Sequence, residues 1–265
     1  RGGSPRSLVK PDGRRPTAIL ALPGVVVPAT GVPVLRLDPE ALAGIAASPP
    51  PHTPDPHHLA CILYTSGSTG APKGVMVPFA QVHNWLYAAW ERWPFAGDEV
   101  TLHKTSIAFA VSVKELLTGT LAGVPLLMLD DASVRDMARL AGAIARWRVT
   151  RMHLVPSHLK ALLEGGHARL LGSLRVIVTA GEALTREVAE GARLALPGAA
   201  LWNNYGCTEL NDVAYHEVAS VPAGQYVPIG RPLANTTVHV LDDALRPVPL
   251  GAMGELHVGG VGLAR

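Results

Sequence analysis

The segment Tyr64-Thr-Ser-Gly-Ser-Thr-Gly-Ala-Pro-Lys-Gly74 decides how this chain is read. It follows a short apolar run, Leu59 to Tyr64, with the length and composition of a buried strand, and leads into a strand piece, Val75 to Val77. Gly67, Gly70 and Gly74 let the backbone turn tightly and offer N–H groups to an anion. Thr65, Ser66, Ser68 and Thr69 add hydroxyl donors, and Lys73 adds a mobile positive charge. The combination suits a polyphosphate. It is not a Walker loop, because no Gly directly precedes Lys73 and no Ser or Thr follows it. A flexible surface turn is the plain alternative. Four hydroxyls, three glycines and a lysine between apolar strands argue against it.

Outward from this loop, strands alternate with helices. Thr17 to Ala21 and Val32 to Leu37 read as short strands around a Gly/Pro turn, and Ser48 to His58 as a polar, Pro-rich linker. Phe79 to Trp93 has helical spacing, Phe109 to Leu121 contains a helix, and Pro125 to Leu129 reads as a strand. Ser133 is the expected N-cap of a helix whose apolar stripe is Val134, Met137, Ala138, Ala141 and Ile144. Arg151 to Val155, Leu174 to Thr179 and Ala200 to Asn203 read as strands, with helices after the first two. This order predicts an α/β fold with a mostly parallel, helix-covered sheet. After Pro222 the pattern turns β-rich, with short strands at Val238 to Leu241 and Glu255 to Val258. The expected organisation is an N-terminal segment and linker (1–58), an α/β core (59–221) and a β-rich subdomain (222–265).

Composition removes several function classes. A balance of 23 basic against 21 acidic residues leaves a charge of +2, too little for a nucleic-acid footprint. A hydrophobic content of 48% excludes disorder, and 27 Gly with 23 Pro show no collagen period. The best apolar run, Ala18 to Val27, is broken by Pro23 and Gly24 and falls short of the roughly 20 residues of a membrane span. Arg1 to Arg15 is polar and basic, unlike a signal peptide. Cys61 and Cys207 form no metal-ligand spacing and read as reduced thiols of a cytoplasmic protein. Neither end has the look of a natural terminus, so the chain is expected to be an interior slice of a longer polypeptide.

Six segments resemble, in order, the motifs of adenylate-forming enzymes: acyl-CoA ligases, luciferases and, above all, nonribosomal peptide synthetase adenylation domains. They are the loop above, within Leu63 to Val77; Lys104-Thr-Ser-Ile-Ala-Phe109; Thr179-Ala-Gly-Glu-Ala-Leu184; Asn204-Tyr-Gly-Cys-Thr-Glu209; and Val227-Pro-Ile-Gly-Arg-Pro232 with Gly254-Glu-Leu-His-Val-Gly-Gly-Val-Gly-Leu-Ala-Arg265. The resemblance covers about Val32 to Arg265 and implies that a carboxylic acid and ATP give acyl-AMP and pyrophosphate. By that resemblance Thr65, Ser66, Gly67, Ser68, Thr69, Gly70 and Lys73 hold the β- and γ-phosphates. Tyr205 stacks on adenine, with Asn204, Gly206 and the Gly181-Glu182 turn beside it. Thr208 meets the α-phosphate and Glu209 ligates Mg²⁺. An ordinary core aromatic and a surface carboxylate are the plain readings of Tyr205 and Glu209. The acyl group then passes to a carrier protein's phosphopantetheine thiol. The implied partners are that carrier, neighbouring synthetase domains and an MbtH-like protein. The family's small C-terminal lid is expected to lie outside these residues. By family the chain is part of an ATP-dependent acid–AMP ligase, expected to be weak or inactive by itself.

The acid pocket carries over as Phe109, Ala110, Val111, Lys114, His153, Val178, Ala180, Asn204, Asp212 and Val213. Amino-acid-activating relatives usually place Asp where Ala110 stands, to pair with the substrate α-ammonium. An ammonium facing a methyl would lose that partner at a cost of several kcal/mol, so a standard α-amino acid is not expected. Three readings stay open. The acid has no α-amino group, and His153, Asn204 and Lys114 meet its polar substituents. Or its amine lies elsewhere and Asp212 supplies the counter-charge. Or Lys114 and Asp212 pair and the domain no longer activates an acid. Taken alone, Lys114 is compatible with a solvated helix lysine. Cys207, in place of the motif proline, and Phe79, where relatives often have His, are further departures, whereas Asn84 matches. The alternatives to an adenylation core are a non-catalytic adenylation-like scaffold and, less favoured, an aryl- or acyl-CoA ligase.

Overall fold

The computed structural model describes residues 17–27, 29, 31–43, 53–65, 72–220 and 223–265. The chain forms two compact units, residues 1–55 with 64–74, and residues 56–63 with 75–265. In the first unit, β1 (Ile19–Ala21) and β2 (Val34–Arg36) pair in parallel, with Ile19 opposite Val34. The Arg36 guanidinium closes the intervening Gly/Pro turn by donating to the Val25 carbonyl at 2.6 Å. The short helix α1 (Pro39–Ala43) starts where the Asp38 carboxylate accepts the Glu40 N–H at 3.0 Å.

Strands β3 (Leu59–Thr65) and β4 (Lys73–Pro78) pair in a two-stranded sheet. Thr65 ends one and Lys73 starts the other. Ser66, Gly67, Ser68, Thr69 and Gly70 lie outside the described residues, as do residues 48–52 of the expected linker and Pro222.

The second unit continues with α2 (Phe79–Arg92), β5 (Thr101–His103), α3 (Ala110–Thr120), β6 (Leu126–Met128), α4 (Asp131–Arg135), α5 (Met137–Trp147), β7 (Arg151–Leu154), α6 (Pro156–Glu164), β8 (Val176–Thr179), α7 (Arg186–Ala195), β9 (Ala200–Cys207), β10 (Asn211–Glu217), β11 (Arg231–Pro232), β12 (Thr236–Leu241) and β13 (Glu255–Gly260). Its seven-stranded sheet runs β11-β10-β9-β8-β7-β5-β6. The strands from β6 to β9 are parallel, and β10 and β11 add an antiparallel edge. This is the mostly parallel α/β sheet the sequence predicts. The β-rich tail forms an antiparallel hairpin, β12 with β13, in which Val238 faces Val258.

Alternation along the strands divides the core. Met152, Leu154, Ile177 and Leu201 pack with Leu140 and Ile144 of α5, Leu159 and Leu162 of α6 and Val188 of α7. Val178, Trp202 and Tyr215 face the other way, onto Trp85 and Leu86 of α2 and Trp93 at its C-terminal end. Burial on both faces suits the apolar sequence of β8, Val176–Thr179, near the middle of the sheet. No helix among the described residues is long and apolar enough to cross a membrane.

Three expectations need correction. Ser133 is not a helix N-cap. Asp130 caps α4, accepting the Ser133 N–H at 2.7 Å, and Asp136 caps α5, accepting from Ala138 and Arg139. A charged carboxylate accepts these N–H bonds better than a hydroxyl and also favours the positive end of the helix. The proposed stripe is therefore split between two helices. Strand β9 also runs to Cys207, so Asn204, Tyr205 and Gly206 lie in the sheet rather than after it. Their partner β10 has no counterpart in the expected strands.

Candidate functional site

Two candidate subsites lie in the second unit, around the end of β9. The first is an open cleft of about 370 Å³ lined by Gly181, Glu182, Asn204, Tyr205 and Gly206 together with Tyr226 and Ile229. Gly181 turns after β8 with φ +84°, a left-handed conformation that costs glycine little. The Glu182 carboxylate is occupied at the start of α6, accepting the Ser157 N–H at 3.0 Å and its hydroxyl at 2.9 Å. Asn203 donates to the Pro228 carbonyl at 2.9 Å and holds the segment carrying Tyr226 and Ile229 against β9. Tyr205 and Tyr226 are 41% and 52% exposed, so two aromatic rings border one cleft and offer faces to a planar ring. Gly206 is fixed by contact: a Cβ there would sit 1.7 Å from the Asn211 carbonyl oxygen.

Thr208 and Glu209 form the turn between β9 and β10. Gln81, buried in α2, donates to the Gly262 carbonyl and lies 3.5 Å from that of Glu209, which also accepts the Ala264 N–H at 2.8 Å. The turn is thus held between α2 and the C-terminal segment. Asn84 ties the same helix to Ala234 and Asn235. The Glu209 side chain is exposed. Among the described residues no group of three His, Cys, Asp or Glu side chains could hold a metal. A lone carboxylate suits Mg²⁺ where phosphate oxygens and waters complete the shell, so Glu209 fits that role beside a nucleotide.

The second subsite lies behind Asn204. Register places His153, Val178 and Trp202 in one row across β7, β8 and β9. Ala180 and Asn204 are two residues further along the same face, and Tyr215 is paired with Asn204. Helix α3 brings Lys114 onto this face. Its ammonium pairs with the Asp212 carboxylate, with side-chain exposures of 6% and 1%. Lys114 is therefore a core residue and not a solvated helix lysine. Asp212 also accepts from Asn204 Nδ2 at 2.6 Å and from the Tyr215 hydroxyl. Burial pushes the Asp212 carboxyl up, but Lys114, Tyr215 and Asn204 together hold its pKa below the ordinary value. Burial and the Asp212 charge drive the Tyr215 phenol well above its usual pKa. His153 falls to about 4, through burial first and then Lys114, with Asp212 opposing. Its imidazole is neutral at physiological pH.

Of the other expected pocket residues, Val178 and Val213 are buried, Ala110, Val111 and Ala180 are partly buried, and Phe109 is 63% exposed at the start of α3. The loop before it is bolted by Glu115, which accepts the N–H groups of Lys104 and Thr105 at 3.0 and 2.9 Å and the Thr105 hydroxyl at 2.8 Å. Burial lowers the Lys104 pKa against the pull of Glu115. Tyr215, Tyr226, Gln81 and Glu115 were not among the expected site residues. Gln81 carried one signal, a polar side chain at an apolar position of its helix.

The structure brings Gly181, Glu182, Asn204, Tyr205 and Gly206 to one cleft, and Lys114, Asp212 and Asn204 to one hydrogen-bonded cluster. Thr65 and Lys73 belong to the first unit.

A family described as "AMP-binding enzyme" matches residues 14–265. Tyrocidine synthase 3 of Brevibacillus parabrevis is 35% identical over 231 residues, which is 87% of this chain and 4% of that protein. Phosphinothricin tripeptide synthetase PhsC of Streptomyces viridochromogenes is 40% identical over 238 residues, 88% of this chain and 21% of that one. The crystal structure of the nonribosomal peptide synthetase FmoA3 in its AMPPNP-bound form superposes with a TM-score of 0.83 at 25% identity, covering 94% of this chain and 27% of that one. The chain thus corresponds to a small part of each of these much longer proteins.

Proposed function

The chain belongs to the AMP-binding enzyme family, in its nonribosomal peptide synthetase adenylation branch, and we propose on that premise that it is the core of a domain activating a carboxylic acid that lacks an α-ammonium. A carboxylate oxygen attacks the α-phosphorus of ATP, the bond from that phosphorus to the bridging oxygen breaks, and pyrophosphate leaves. Acyl-AMP remains, ready for attack by a carrier protein's phosphopantetheine thiol with release of AMP. Negative charge gathers around phosphorus, so positioning and electrostatic stabilisation dominate. In this reading Thr65 to Gly70 and Lys73 hold the outer phosphates, Tyr205 and the Gly181-Glu182 turn receive adenine, and Thr208 meets the α-phosphate. Glu209 holds Mg²⁺, which neutralises phosphate charge when bound.

The observation that carries the acid class is Asp212. Ala110 cannot pair with an ammonium, and the one carboxylate in the cluster is already bonded to Lys114, Asn204 and Tyr215. The same closed pair favours a second reading, a module that holds nucleotide but no longer activates an acid. ATP–pyrophosphate exchange by the full-length protein tests both. Exchange with an acid outside the common amino acids, falling about a hundredfold or more in Lys73→Met and Glu209→Gln, supports activation. Nucleotide binding without exchange on any acid supports the second reading.

A further inference from the structure

The buried cluster is uneven in what it leaves unbonded. A carboxylate has about four acceptor sites. In Asp212, Oδ1 takes Lys114 Nζ and Asn204 Nδ2, and Oδ2 takes the Tyr215 hydroxyl. The bond to Asp212 fixes the Asn204 amide with its nitrogen toward the carboxylate. Asn204 Oδ1 is then a buried acceptor without a partner among the described residues, on a side chain 3% exposed. A lysine ammonium has more N–H donors than the single bond Lys114 makes to Asp212. One oxygen of Asp212 therefore anchors a donor with spare N–H groups beside an acceptor with no donor.

Tyr215 reaches Asp212 through a bulge. Residues three apart on a regular strand point to opposite faces. The β9–β10 register shifts between Asp212 and Ala214, with Asp212 opposite Gly206 and Ala214 opposite Tyr205. The extra residue, Val213, turns Asp212 onto the face of Tyr215. Trp93 packs edge-on against the Tyr215 ring, with centroids 5.1 Å apart, and keeps the phenol in place.

We propose that Tyr215 is a positioning residue that commits Asp212 to the protein's own hydrogen bonds, so that Lys114 and Asn204 select an acid carrying a hydroxyl over the matching amino acid. A hydroxyl both accepts and donates, and so can take a Lys114 N–H and give its proton to Asn204 Oδ1. An ammonium has no acceptor, leaves the Lys114 donors unmatched and meets the lysine charge. A bare methylene leaves both groups unmatched. Sites built to bond a hydroxyl reject analogues lacking it strongly, because their buried polar groups then go unpaired. This inference rests on the adenylation reading above and names the acid of that site.

The test is ATP–pyrophosphate exchange by the full-length protein with trios of acids that share a skeleton and carry hydrogen, hydroxyl or ammonium at the same carbon. For the best skeleton, kcat/KM for the hydroxy acid exceeds both others by about a hundredfold or more. Lys114→Met lowers the preference for hydroxyl over hydrogen by at least about tenfold. Tyr215→Phe frees Asp212 Oδ2 and raises the ammonium-to-hydroxyl ratio by about tenfold, with KM for ATP unchanged. A purely structural role for Tyr215 lowers all three acids alike and leaves that ratio fixed. A wild-type preference for the amino member overturns the inference while leaving adenylation intact, and it does so without any variant. Unchanged ratios in folded Lys114→Met and Tyr215→Phe overturn it as well. No exchange with any acid, in protein that still binds ATP, removes the adenylation reading and this inference together.

Discussion

Replacing Asp212 by Asn keeps the shape of the buried cluster and removes its negative charge. The Lys114 ammonium then stays in a site where its side chain is 6% exposed, with no counter-charge from its former partner. Breaking a buried pair from one side costs about 3–5 kcal/mol, because the remaining ion is uncompensated. At about 2–4 °C per kcal/mol for a protein of this size, Tm falls by roughly 6–20 °C. Lys114→Met costs less. Its Asp212 keeps the Asn204 and Tyr215 donors and loses one charge-assisted bond, worth about 1.5–3 kcal/mol. The double variant Asp212→Asn with Lys114→Met buries no unpaired charge and recovers much of the loss, since apolar replacement of a buried pair is often neutral. Thermal unfolding of the four proteins at pH 7 measures all three quantities. A loss under about 1 kcal/mol for Asp212→Asn, or simple additivity in the double variant, refutes the buried pair.

Three further outcomes are expected. Gly206→Ala places a Cβ 1.7 Å from a backbone oxygen that cannot rotate away, so β9 and β10 must part. The expected cost is about 1–3 kcal/mol in urea unfolding, accompanied by weaker ATP binding. Tyr205→Ala removes one face of the cleft and raises the Kd for ATP by about 5- to 150-fold in calorimetry, with little change in Tm. His153 titrates at about 4 when folded and at 6.5 unfolded. Between these values the unfolded chain holds the proton that the folded one lacks, so stability falls as pH drops through that window, by about 3 kcal/mol at its lower end. His153→Gln flattens this slope between pH 7 and 4.5. A slope equal to that of the wild type places the effect on other groups, of which His158, lowered by burial and by Lys104, is the nearest candidate.

The parts of the fold that the sequence announced are those with uninterrupted patterns. Strands β3 and β8 are apolar runs bounded by turns, β7 alternates as Arg151-Met152-His153-Leu154, and α2 shows its period across Val82, Trp85, Leu86 and Ala89. Strand β10 escaped because its buried residues include Asp212, which reads as polar until its partners are known. The capping of α4 and α5 is not legible in the sequence, because Asp130, Ser133 and Asp136 all suit a cap and spacing does not rank them. The cleft residues were legible as motifs, since Gly181, Asn204, Tyr205 and Gly206 each sit in a compact segment. The burial of Lys114 was not, because a single lysine on a helix carries no mark of the face it occupies. Tyr215 was hidden for a related reason: its contact with Asp212 depends on a bulge, and a one-residue register shift leaves no trace in composition. Tyr226 reached the cleft through the Asn203 bonds to Val227 and Pro228, which join segments distant in the chain.

Identifying the adenylate itself decides whether the domain serves an acid without an α-ammonium. The full-length protein is incubated with ATP, Mg²⁺ and a mixture of the twenty common amino acids and their hydroxy and keto counterparts, and the bound acyl-AMP is released and weighed by mass spectrometry. The expected species is an acyl-adenylate whose acid carries no amine at the α-carbon. An adenylate of a common amino acid as the dominant species contradicts it.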